Sequence, residues 1–200
     1  MLLYSLDLIG TAAFALTGLL IACQNKMDFS RACVLAFATA VGGGTLRDLL
    51  LSFNLNSVFW IDDSAYLVVI LLCVSVGQML TKLRRGSGMA LQLMDAVGFA
   101  ALVTVGSAIA SQATGSPIVT GLMGIVNASG SVAMRNLLTG ASFRTLIKTC
   151  YIAVACLGGL VFVSGQWLSL PAHLVIALTF IATLTLRVVV MCGSKRQSLA

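Results

Sequence analysis

The chain has no glutamate, one histidine and two prolines, and charged residues make up only 9% of its 200 positions. Soluble domains carry about 25% charge, so this scarcity argues against a water-exposed surface. With no glutamate and a lone His173, there is no paired-carboxylate or nucleophile–base arrangement on which to build an enzyme. None of the six cysteines (Cys23, Cys33, Cys73, Cys150, Cys156, Cys192) has a C-x-x-C partner, so no fixed metal or cofactor is expected. They read as small packing residues within or beside apolar runs. Few prolines mean that any irregular backbone must come mostly from glycine, of which there are 19.

What is abundant is apolar sequence: 59% of residues are hydrophobic and the mean hydropathy is +1.04. Repeated runs of about 20 apolar residues define a polytopic helical membrane protein. Seven segments can be placed, at about 3–23, 30–52, 58–81, 90–110, 117–139, 145–166 and 171–192. Residues 193–200 form a polar tail that is expected to fray. No basic run precedes the first segment and Asp7 lies inside it, which argues against a cleaved signal peptide.

The net charge of +6 does not form a nucleic-acid patch, because the basic residues sit in short connections. Lys26, Arg31, Lys82, Arg84, Arg85, Arg144, Lys148, Lys195 and Arg196 all fall in the first, third and fifth loops and the tail. By the positive-inside rule that side is cytoplasmic, with the N-terminus outside, in a cell (inner) membrane. The cluster of Lys82, Arg84 and Arg85 is first a topology signal and second a candidate contact for anionic lipid. Arg187 lies within a turn or two of the cytoplasmic end, where snorkelling to headgroups is the favoured reading. His173, in the sixth loop, reads as a solvated surface residue.

The chain also repeats. Shifting it by 88 residues places Asp7 on Asp95, Gly10 on Gly98, Gly18 on Gly106, Gly42 on Gly130 and Arg47 on Arg135. In all, 13 identities align across residues 5–50 without a gap. Each unit holds three segments, an odd number, so the second unit enters the membrane from the other face. The expected fold is therefore all-α, with inverted three-helix repeats at 1–85 and 86–169 and a seventh helix at 170–192. Many transporters use this plan and place their site near the midplane.

The second segment contains Gly42, Gly43 and Gly44 at its centre, followed by Arg47 and Asp48. Each glycine costs about 1 kcal/mol relative to alanine in a helix. Three together favour a kink or an unwound turn whose carbonyls suit a transient monovalent cation. Close packing between helices explains the same glycines equally well. The fifth segment carries Asn127, Ser129, Gly130 and Ser131, whose oxygens add to such a path, then Arg135 and Asn136. Val132 makes this half stiffer. A charge near the bilayer centre costs about 2.5–3.5 kcal/mol and normally has a partner. Asp7 with Arg47 and Asp95 with Arg135 are candidate pairs; Asp48 is a second candidate for Arg47, and snorkelling is the rival. Gly121 with Gly124, and Gly158 with Gly159, permit close helix contact without fixing how many copies associate.

These residues, "GGGTLRD" from Gly42 to Asp48 above all, resemble the prokaryotic trimeric intracellular cation channels, a family also labelled UPF0126 and glycine-transporter-like. The resemblance covers nearly the whole chain. It implies a homotrimer in the lipid bilayer with one pore per protomer between the repeats, conducting potassium or sodium, chiefly potassium, without a cofactor. Gly42, Gly43 and Gly44 with Arg47 and Asp48 would form one kink, and Gly130 and Ser131 with Arg135 and Asn136 the other. Ser131, Val132 and Asn136 depart from the pattern in the second half. A secondary carrier for a small neutral solute such as glycine is the alternative, and a structural or lipid-binding membrane protein a third.

Overall fold

A computed structural model describes residues 1–51, 58–83, 88–141 and 150–197, with side chains for 1–51, 58–79, 88–141 and 150–193. The side chains of Lys82, Arg84, Arg85, Arg144, Lys148, Lys195 and Arg196 lie outside that set, and with them the anionic-lipid contact.

The apolar runs fold into α1 (Leu2–Gln24), α2 (Phe29–Leu51), α3 (Phe59–Asp62), α4 (Ala65–Leu83), α5 (Gly88–Thr114), α6 (Pro117–Thr139), α7 (Tyr151–Trp167) and α8 (Ala172–Gln197). A helix of 23 residues, such as α1, α2 or α6, is about 35 Å long, enough for a hydrocarbon layer of about 30 Å. Among the described residues, five stretches are long and apolar enough to cross a membrane: α1, α2, α5, α6 and Ala172–Gly193 of α8. Ala65–Met79 and α7 are shorter apolar helices.

Two expectations need correction here. The third segment is not one helix: Asp63 is extended, and its Oδ1 accepts the Ala65 N–H at 2.9 Å, restarting the chain as α4. The tail is not frayed throughout, since α8 runs on to Gln197. Lys195 and Arg196 fall at its C-terminal end, where the helix dipole favours positive charge. The cysteines are free thiols and none is buried: Cys33, Cys73 and Cys156 are half-buried, and Cys23, Cys150 and Cys192 are exposed. His173 is exposed, but in the first turn of α8 rather than in a loop.

Glycine and other small residues decide how the helices pack, because lipid offers no hydrophobic drive and close approach maximises dispersion contact. α1 packs on α2, α4 and α5, while α5 packs on α6, α7 and α8. α2 and α6 cross each other between these two groups. Contacts recur at residues 88 apart. Gly18 of α1 lies against the Leu35 carbonyl and Thr39 Oγ1 of α2; Gly106 of α5 lies against the Met123 carbonyl and Asn127 of α6. One apolar core, with Leu19, Leu35, Ile70 and Val74, fills the α1–α2–α4 group. A second, with Phe99, Val103, Val132 and Val154, fills the α5–α6–α7 group.

Candidate functional site

α2 stays helical through its three glycines, and α6 is likewise continuous over Pro117–Thr139. Neither is unwound, which corrects the expectation of an unwound turn at Gly42–Gly44. The glycines instead permit contact at the α2–α6 crossing. Gly43 N–H donates to Ser131 Oγ at 2.9 Å, joining residues 88 apart. A Cβ on Gly43 would collide with the Asn127 carbonyl oxygen and lie 2.7 Å from Ser131 Oγ. A Cβ on Gly130 would lie 3.3 Å from the Gly43 Cα. Gly42 faces the flexible Met134 side chain, and Gly44 faces the Phe59 ring.

Of the three side-chain oxygens expected at α6, only Ser131 is aimed at α2. Asn127 turns its amide to α5, where Nδ2 donates to the Leu102 carbonyl at 2.7 Å. Ser129 is half-buried and bonds back to the Ile125 carbonyl. Asn136 is buried, and its amide nitrogen has no hydrogen-bond partner among the described residues.

Two charge clusters flank the crossing. At the first, Arg47 is 2% exposed and its Nε meets Asp48 Oδ1 at 2.7 Å. The guanidinium lies over the Phe59 ring, 5.3 Å from its centroid. Asp48 Oδ2 accepts the Phe59 N–H at 3.0 Å, and Trp60 Nε1 donates to Thr45 Oγ1 at 3.1 Å, so the short α3 is fastened to α2. Asp7 is buried within electrostatic reach of Arg47, but makes no ion pair with it. Its hydrogen bond comes from Tyr66 Oη at 2.9 Å. Beside it Tyr4 Oη donates to Asp63 Oδ2 at 2.6 Å. That bond and the Ala65 N–H hold the half-buried Asp63 carboxyl below its ordinary pKa.

The second cluster is denser. Asp95 Oδ1 meets Arg135 Nη1 at 2.7 Å, and its Oδ2 meets Arg187 Nη2 at 3.1 Å. Tyr151 Oη donates to the same Oδ2 at 2.6 Å. Arg187 is 1% exposed, and its guanidinium stacks 3.5 Å from the Tyr151 ring centroid and 5.6 Å from that of Phe99. Snorkelling is therefore wrong for Arg187, and Arg47 and Arg135 are also turned inward and buried. The burial has a physical cause: Asp95 and two aromatic faces solvate Arg187 inside, so it need not reach headgroups.

All three tyrosines of the chain belong to these clusters. Sequence reading missed them. Tyr66 is 59 residues beyond Asp7, and Tyr151 is 56 beyond Asp95, so their equivalence needs a three-residue gap that an ungapped comparison cannot see.

Spanning helices that bury charge against charge at their crossings define a helical membrane protein with a polar interior. The family model described as "Glycine transporter" matches residues 4–82. The UPF0126 inner membrane protein YadS of Escherichia coli K12 is 34% identical over 190 residues, covering 94% of this chain and 90% of YadS. A UPF0126 membrane protein of Vibrio cholerae is 35% identical, covering 80% of this chain and 66% of that protein. Among solved structures, the trimeric intracellular cation (TRIC) channel orthologue of Rhodobacter sphaeroides is 30% identical with a TM-score of 0.87, over 96% of this chain and 98% of that one. A second TRIC cation channel structure is 26% identical with a TM-score of 0.86, over 97% and 95% of the two chains. The chain belongs to the TRIC/UPF0126 family. Its structural neighbours are channels rather than enzymes.

Proposed function

We propose that this protein is a monovalent cation channel preferring potassium, with one pore per protomer of a homotrimer. The pore runs between two inverted three-helix halves, α1–α2–α4 and α5–α6–α7, with α8 as a seventh span outside the repeat. Residues 1–85 and 86–169 form the halves, the N-terminus lies outside, and the C-terminal end is cytoplasmic. The Gly43–Ser131 contact between equivalent residues carries this reading, because it puts the two halves' second helices together at their midpoints. The contacts of Gly18 and Gly106 support the duplication.

Cations pass Gly42, Gly43, Gly44, Gly130 and Ser131, and the crossing must loosen for them to do so. Arg47 does not act as a bare charge, since Asp48 pairs with it, and Arg135 is held by Asp95, which it shares with Arg187. They act as clamps that set the helix positions. No cofactor takes part. Planar-bilayer recording of Arg47→Ala tests this: open probability or folding changes, while potassium stays preferred over chloride. A reversal of selectivity contradicts the clamp role.

The "Glycine transporter" description of the model matching residues 4–82 favours a second reading, a carrier for glycine or a similar small solute. Saturable glycine counterflow in liposomes without current steps selects it. A structural or lipid-binding role predicts neither flux.

A further inference from the structure

The short α3 is tied to α2 more firmly than a corner between two helices requires. A helix of 4 residues does not hold itself together, so its place is set by what its side chains and backbone reach. Phe59 stands at the centre of these ties. Its N–H donates to Asp48 Oδ2 at 3.0 Å. Its ring lies 5.3 Å from the Arg47 guanidinium and meets the Tyr66 ring edge-on, with 4.7 Å between centroids. The same ring rests on Gly44, where an added Cβ would collide with it. Trp60 donates from Nε1 to Thr45 Oγ1 at 3.1 Å and packs edge-on against Phe37, 5.2 Å between centroids. Ile61 and Asp62 are exposed. The helix therefore presses an aromatic face on α2 and turns its other face outward.

The repeat shows that these ties are additions to the shared plan. Between residues 42 and 50 the offset of 88 keeps Gly42, Arg47, Leu49 and Leu50, as Gly130, Arg135, Leu137 and Leu138. The three α2 positions that fasten α3 all change: Gly44 becomes Val132, Thr45 becomes Ala133 and Asp48 becomes Asn136. Val132 is 1% exposed in the second apolar core, so its own side chain occupies the room that Gly44 leaves for a ring. Ala133 has no hydroxyl to accept from an indole, and Asn136 carries no charge. Continuous helix does not depend on these three residues, since α6 is as unbroken as α2. Gly43 serves the crossing; Gly44 serves the Phe59 ring.

We propose that α3 is a latch on the outer mouth of the conduction path: the Phe59 ring, seated on Gly44, closes it, and Asp48 and Thr45 hold the ring in place. This rests on the channel reading and on the orientation given with it, which makes the Arg47 end of α2 the outer one. Gly44 follows Gly43 directly, so a seated ring braces α2 at the α2–α6 crossing, and the crossing loosens when the ring leaves. Release is local, because two hydrogen bonds and a set of ring contacts part while the long helices stay folded. At the equivalent place on α6, Val132 fills the seat, so the latch works from one side.

Single-channel recording of the full-length protein in planar bilayers reads the latch. Phe59→Ala lowers the closed-to-open ratio about 10- to 50-fold. Thr45→Val, which removes the Trp60 tie, lowers it about fivefold. Gly44→Ala unseats the ring and lowers it too, but adds nothing in Phe59→Ala protein, where there is no ring to unseat. Ile61→Ala, on the exposed face, gates like the parent. A second readout needs no current. In Trp167→Phe protein Trp60 is the remaining tryptophan, and iodide quenches its fluorescence more strongly once Thr45→Val is added. Parental gating in both Phe59→Ala and Thr45→Val, unchanged quenching, or a Gly44→Ala effect that persists in full without the Phe59 ring overturns the latch and leaves the channel reading standing. A parent that passes no current removes the channel reading, and the latch with it. Should Phe59→Ala fail to fold, Thr45→Val alone decides.

Discussion

Replacing Gly43 by alanine tests the α2–α6 crossing most sharply. The added methyl would collide with the Asn127 carbonyl and approach Ser131 Oγ to 2.7 Å. The carbonyl is backbone and cannot swing aside, so the helices must part. Overpacking of this kind costs about 1–3 kcal/mol. Parting also weakens the Gly43 N–H to Ser131 Oγ bond, worth about 1 kcal/mol. Alanine regains about 1 kcal/mol in helix propensity. The net is a loss of about 1–3 kcal/mol from the packed crossing, roughly a 5- to 150-fold change in its equilibrium against a loosened state. Two assays read it. Thermal unfolding in detergent falls for Gly43→Ala but not for Gly121→Ala, where an added Cβ meets nothing within 4 Å. In planar bilayers the open probability of Gly43→Ala rises, if the loosened state is the conducting one as proposed above. If Gly43→Ala unfolds and gates like the parent, the crossing is not the tight contact described, and neither the gate nor the energetics survives.

Further outcomes follow from the charge clusters. Asp95→Asn removes the buried carboxylate that Arg135 and Arg187 share and costs about 3–5 kcal/mol in thermal or denaturant unfolding. Tyr66→Phe destabilises more than Tyr151→Phe, since Asp7 loses its described hydrogen bond while Asp95 keeps two arginines; the reverse order would mean that Asp7 is held by something else. The Tyr4–Asp63 tie has a defined pH dependence. A lowered folded pKa gives stability that is complete above the ordinary aspartate value of about 3.9 and is lost as pH falls through the lowered one. Unfolding of the parent and of Asp63→Asn should therefore run parallel from pH 5 to 8 and converge only in more acid buffer.

Much of this was legible in the residue pattern, and the reasons are specific. Rare charges inside apolar runs mark themselves, so Asp7, Arg47, Asp95 and Arg135 stand out in a chain with so few ionisable groups. The 88-residue offset that aligns Gly18 with Gly106 is also the spacing at which their contacts recur. Arg187 misled because distance from a helix end suggests an exit to headgroups, whereas its burial depends on Tyr151 and Phe99, which lie far away in sequence. The glycine triplet misled for a different reason. Propensity alone favours unwinding, but Gly43 gains a cross-helix bond and close contact that keep α2 helical. The sequence places Asn127 toward the path, yet its amide reaches the Leu102 carbonyl, in space that Gly106 leaves open by having no side chain. Helix rotation of this kind is set by neighbours, not by local composition.

Reconstitution of the full-length protein in a planar bilayer under a potassium chloride gradient tests the central claim most directly. The account predicts discrete current steps that reverse near the potassium equilibrium potential. Silent membranes, together with saturable glycine counterflow in liposomes from the same preparation, would contradict it.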